Sequence, residues 1–161
     1  MKRILILTVA VAFLGCGTES RQPQETSQAV QQRKPDLARA DKLLPPVEQR
    51  ATYKGLTAYE WGRRLFDRDE NMWFDAVRVI GALDDDGIPY LIEAAWSDNE
   101  LLRHWALIEL RNVRSAKYEK GVAEACIATV NDPRFSNRVI AGMSICELAA
   151  TILKEQAERL K

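Results

Sequence analysis

A single histidine, His104, in a chain of 161 residues leaves little material for metal binding or general-base catalysis. It lies between Arg103 and Trp105, no Ser or Cys stands in a nucleophile motif, and His104 reads as a helix-surface side chain. Glycines are scattered rather than clustered: Gly55, Gly62, Gly81 and Gly87 are isolated, so no phosphate-cradling loop is present. Charge of either sign is not in excess, with 23 basic and 23 acidic side chains. That balance excludes the clustered Lys and Arg that binding to nucleic acid requires. Asn-Gly pairs are absent from the C-terminal two thirds, and nothing there predicts β structure. Asp84-Asp85-Asp86 and the group Asp67, Asp69 and Glu70 lack the full ligand pattern of a calcium loop and read as solvated turns. No catalytic residue, metal or cofactor is expected.

The N-terminus has a pattern of its own. Met1-Lys2-Arg3 is followed by the apolar run Ile4 to Leu14, in which Thr8 is the one polar residue, and then by Gly15-Cys16-Gly17. Two cations and a short apolar core have the proportions of a secretory signal. The run is shorter than the about 20 residues of a membrane span. Phe13-Leu14-Gly15-Cys16 resembles the lipobox of bacterial lipoproteins. The resemblance implies a signal peptide over 1–15, diacylglyceryl or palmitate-type acylation at Cys16, and a chain anchored to the bacterial cell membrane or outer membrane, facing the periplasm or exterior. The alternative is an ordinary signal peptide with an incidental Cys16. Cleavage would remove Lys2 and Arg3 and no acid, leaving two more acids than bases. The membrane contact would then be the acyl chains alone.

Residues 16–52 read as a lipidated Cys and flexible linker. The stretch Gly17 to Gln28 is polar and nearly free of large apolar side chains, too poor in burial to offset its ordering entropy. Asp36 to Leu44 has the signs of a short helix, with Asp36 as N-cap and Pro45-Pro46 as terminator. A flexible chain of this length spans about 35 Å. The alternative is a loop packed on the domain.

Residues 53–161 form the expected folded part, all-α. Apolar residues recur with helical period, and capping signals (Thr57-x-x-Glu60, Ser97-x-x-Glu100, Asp132-Pro133) mark starts. The spacing predicts helices over 57–66, 70–83, 87–96, 99–113, 117–130 and 134–158. These pair into three similar units: Ala76 and Ile80 superpose on Ala106 and Leu110 at an offset of 30, then on Ala141 and Ile145 at an offset of 35. Repetition favours a short α-solenoid of about three helical hairpins over a closed six-helix bundle.

The segment Asp98-x-Glu100-x-Leu102-Arg103-x-x-Ala106, with Pro89-Tyr90-Leu91-Ile92 before it, resembles short HEAT-like repeats. The third unit matches with Asp132, Arg138 and Ala141, while the first has Trp73 where the family tends to have Arg. The resemblance implies a polar ladder of Asp98, Arg103, Asp132 and Arg138 between stacked repeats. It also implies a binding module for a protein partner, not an enzyme. The alternative it offers, a bilin-lyase type of enzyme or subunit, fits poorly with an export signal. Trp and Arg dominate binding hot spots, so Trp73, Arg103 and Trp105 are the candidate partner-binding residues, with Trp61 and Trp96 in phase with the core. Cys126 and Cys146, on the two helices of the third unit, are either a disulfide or two buried small hydrophobes.

Overall fold

The computed structural model describes residues 33–46, 49–67, 69–136 and 138–159; the candidate signal segment and Cys16 lie outside the described residues. Helix α1 is Leu37–Asp41. A hairpin of β1 (Thr52–Tyr53) and β2 (Leu56–Thr57) leads into α2 (Ala58–Arg64). Then come α3 (Glu70–Gly81), α4 (Ile88–Ala94), α5 (Glu100–Arg111) and α6 (Glu119–Val130). A second hairpin, β3 (Val139–Ile140) and β4 (Met143–Ser144), leads into α7 (Ile145–Arg159). Single 3-10 turns, Asp84–Asp86 and Pro133–Phe135, precede α4 and the second hairpin. No helix among the described residues is long and apolar enough to cross a membrane.

The described chain is predominantly helical, and the predicted helices from 57 to 130 match α2 to α6. Their starts follow from local chemistry. The Thr57 hydroxyl accepts from the Glu60 N–H and the Glu60 carboxylate accepts from the Thr57 N–H at 2.8 Å, a reciprocal cap. At α5 the cap is Asn99, which accepts from Leu101 and Leu102, and not Ser97. Pro89 sits in the first turn of α4, where its missing N–H costs nothing.

The predicted helix over 134–158 is corrected: it begins only at Ile145. Ala141 and Gly142 have φ of 52° and 85°, two successive left-handed residues that make the tight two-residue turn between β3 and β4. Ser144 and Glu147 then cap the new helix reciprocally, at 2.9 and 3.0 Å. The first hairpin is built the same way, with Lys54 at 51° and Gly55 at 75°. Both hairpins therefore correct the expectation of no β structure. The predicted offset of 35 shifts with it: α7 begins at Ile145, 45 residues after α5 begins at Glu100.

α2 packs on α3, α4 on α5 and α6 on α7, while α3, α5 and α7 contact one another in that order and α4 contacts α6. Leu65, Ile80, Leu91, Leu107, Leu110, Val122, Ile145 and Ile152 are fully buried among these helices, and Trp61, Trp73 and Trp96 are buried too. Each such large apolar side chain contributes about 1.5–3 kcal/mol. The row ending in α7 presents a polar outer face, with Glu147, Lys154 and Glu158 exposed.

The body does not begin at residue 53. Helix α1 contacts both α2 and α4, and Ala40 is 1 % exposed. Within the expected linker, residues 33–46 instead form a strap packed on α2 and α4, as the packed-loop alternative has it.

Candidate interaction site

Two of the three predicted contact residues are not on the surface. Trp73 and Arg103 are each 3 % exposed. Trp105 is half-buried, its ring edge-on to Phe74 at 5.3 Å. Trp73 and Arg103 are out of a partner's reach unless the core opens, which corrects them as docking residues, while Trp105 keeps a partly exposed edge.

Arg103 instead belongs to the predicted ladder. Its Nε donates to the Ser97 carbonyl at 2.9 Å and its Nη1 to Asp132 at 3.5 Å, with the guanidinium 4.1 Å from the centre of the Phe135 ring. Burial pulls this guanidinium down to about 10, against the opposing pull of Asp132. Arg134 covers the same Phe135 ring and joins Asp132 to Asp98, at 2.7 and 2.8 Å. Burial raises the Asp132 carboxyl, but the hydrogen bonds and charge of Arg134, with that of Arg103, leave it below its ordinary value. The structure thus unites Asp98, Arg103 and Asp132. The fourth member is Arg134, which the sequence reading missed. Arg138 falls in the approach to the second hairpin and pairs with Glu100 at 3.1 Å, because the third unit starts later than its predicted register.

His104 is buried, at 2 % exposure, which corrects its reading as a surface side chain. It stands two turns before Arg111 on α5, on the side facing α7. Neither ring nitrogen has a partner among the described residues, and burial holds its pKa below the usual histidine value. Cys126 and Cys146 are free thiols, which corrects the disulfide option. Cys126 is fully buried, its thiol pushed up to about 12 by burial, whereas the Cys146 thiol donates to the Thr129 carbonyl at the far end of α6. Among the described residues no cluster of three or more His, Cys, Asp or Glu could hold a metal ion. Asp84 to Asp86 form a turn: Asp85 accepts from Ser115 and Asp86 from the Ala51 N–H. An open cleft lies between the ends of α5 and α7, but its Arg111 and Arg159 are taken up by Glu155 and by backbone carbonyls.

A site the sequence reading missed lies under the strap. All seven residues of α4 are buried, including Glu93 at 2 % exposure. An isolated carboxylate there would cost several kcal/mol. Its partners all come from the strap. Arg33 Nη2 donates at 2.7 Å, the Asp36 N–H at 2.9 Å, and Arg39 Nη1 at 3.3 Å to each oxygen. The Arg33 guanidinium also lies 4.4 Å from the centre of the Trp96 ring. Farther along, Asp41 accepts from the Tyr90 hydroxyl at 3.3 Å and from Arg50, and Lys117 donates to the Leu43 carbonyl at 3.1 Å. Burial, then the Asp41 carboxylate, raises the Tyr90 hydroxyl well above its ordinary value. Gly62 makes room for that tyrosine, since a Cβ there would lie 2.5 Å from its ring. The signal was present in Ile88-Pro89-Tyr90-Leu91-Ile92-Glu93-Ala94-Ala95-Trp96: a helix apolar all round must be covered on every side.

With this geometry in hand, comparison with protein-family models, curated proteins and solved structures finds no match for the chain.

Proposed function

We propose that the protein is an exported bacterial lipoprotein, anchored through acylated Cys16, whose body is a short HEAT-like α-solenoid that binds a protein partner at the cell envelope. The observation that carries the anchor is the run from Lys2 to Cys16, with its two cations, short apolar core and small residue before the cysteine. Two acyl chains suffice for stable anchoring without a basic patch. The solenoid reading is supported by the paired helices α2/α3, α4/α5 and α6/α7 and by the row of contacts α3, α5, α7. A stack of this kind offers open surface rather than an enclosed cavity, which suits recognition better than catalysis. The membrane is reached through Cys16, nucleic acid is not a partner, and no cofactor enters.

The test is mass spectrometry and fractionation of the chain expressed in a bacterial host. The expected product begins at Cys16, carries a diacylglyceryl mass, takes up labelled palmitate and sediments with membranes, and Cys16→Ser abolishes all of these. A soluble product that retains Met1 overturns the anchor.

A further inference from the structure

The carboxylate of Glu93 is sealed by residues 54, 57 and 60 positions earlier in the chain, while its own stack supplies no donor to it among the described residues. The strap is thus an occupant of a site that the stack builds. We propose that the trough over α4 is a receptor site for an arginine-bearing helical segment of a partner protein, and that residues 33–44 are its resident, displaceable occupant.

The stack contributes a buried carboxylate, the face of Trp96 and the hydroxyl of Tyr90. Two guanidiniums and one backbone N–H satisfy the carboxylate, and one of those guanidiniums also lies over the indole, 4.4 Å from its centre. Arginine supplies both the planar donor fork and the stacking surface, which lysine does not. Between the two arginines the strap changes from extended chain to helix at its Asp36 cap, and it buries one small side chain, Ala40, directly after Arg39. The fitting ligand is therefore a segment with an arginine before a capped helical turn, a second arginine inside that turn, and alanine or glycine next to it. This is the helix-in-groove mode of peptide recognition with a charged anchor.

Displacement is feasible for three reasons. A five-residue helix has little stability of its own, so α1 takes its order from the trough. Both arginines keep a wet side, Arg33 at 25 % and Arg39 at 41 % side-chain exposure, so leaving the trough rehydrates them readily. Among the described residues no backbone–backbone hydrogen bond joins 33–44 to the helices beneath, so lifting the strap breaks no main-chain ladder. A resident occupant lowers the apparent affinity of a competitor by the fraction of time the trough is open.

The inference rests on reading the chain as an interaction module, but not on its anchor, so the experiment uses the full chain carrying Cys16→Ser in mild detergent. The probe is a fluorescein-labelled peptide of residues 33–46, followed by anisotropy. With the resident weakened by R33A/R39A, the peptide should bind at least about 10-fold more tightly than it does to the chain with the native strap. Adding E93Q to R33A/R39A should return binding to the baseline. Equal affinity with and without R33A/R39A, or indifference to E93Q, overturns the proposal. Should R33A/R39A fail to fold, hydrogen exchange on the native strap decides: excess peptide must speed exchange over 36–44, and unchanged exchange overturns the proposal. Dimerisation with no uptake of peptide overturns it in favour of strap exchange between two copies. Loss of anchoring leaves every one of these readouts in place.

Discussion

Glu93 and Arg103 are both charged, both almost wholly buried, and held in different ways. Arg103 of α5 is matched by Asp132, which follows α6, and by the Ser97 carbonyl, which precedes α5, so the clamp lies within the helical body and ties α5 to the segment after α6. Glu93 is matched by Arg33, Asp36 and Arg39, from a segment that precedes α2 to α7 in the chain. Removing a partner from the first leaves an ion trapped in the core. Removing the second frees a strap whose charges can return to water. One buried ion pair serves cohesion, the other closure.

The largest effect should follow from Asp132→Ala, which strands Arg103. A loss of about 3–5 kcal/mol is expected in urea unfolding, whereas a paired replacement by apolar residues, Arg103→Met with Asp132→Leu, should recover most of it. A paired replacement as unstable as Asp132→Ala would break the comparison, since the cost would then not be an uncompensated charge.

Glu93→Gln should cost less, about 1–3 kcal/mol, because Arg33 and Arg39 remain half-wet when released. A loss as large as that of Asp132→Ala would make the strap as integral as the ladder.

His104 sharpens the comparison with a third buried polar group, one whose ring nitrogens have no partner among the described residues. Its pKa is held below the ordinary value near 6.5 by burial, so below that pH the unfolded chain binds a proton that the folded one resists. Stability should fall as pH drops under about 6.5, by at most about 1.4 kcal/mol per unit for this one group. In His104→Leu that share of the slope should vanish, and an unchanged slope would assign it to carboxylates instead.

The smallest effects belong to the hairpin turns. Gly55 and Gly142 both have positive φ and open space where a Cβ would go. Substitution by Ala at either should therefore cost only backbone strain, about 1 kcal/mol each and equal at the two ends. A marked inequality, read as a difference in thermal midpoint, would mean that one hairpin carries contacts the other lacks.

Helices α2 to α6 were legible from their 3.6-residue apolar period, sharpened by explicit capping groups at α2 and α5 and by Pro89 in the first turn of α4. The start of α7 was not. Val139 to Cys146 keeps apolar residues at spacings that also suit a helix, and Ala141-Gly142 is a weaker turn signal than Asn-Gly, so only the backbone reveals the left-handed pair. The ladder was legible in type: Asp98, Arg103 and Asp132 meet, but the hairpin moves Arg138 away and Arg134 takes its place. Trp73 and Trp105 were chosen by residue type, which does not distinguish an anchor on the surface from one filling the core. The strap was hidden by its polarity. Its short helix and the Asp36 cap were legible, but Arg33 and Arg39 read as linker because the acid that needs them lies far along the chain, and only the all-apolar setting of Glu93 in α4 betrays that something must cover it.

The most direct measurement is hydrogen exchange by mass spectrometry on the full chain, with and without Glu93→Gln. If the strap is held by Glu93 and separable from the stack, amides of 36–44 will be protected in the native chain and will exchange freely in the variant, while α5 to α7 keep their protection. Loss of protection in strap and stack together, or no change in either, would contradict it.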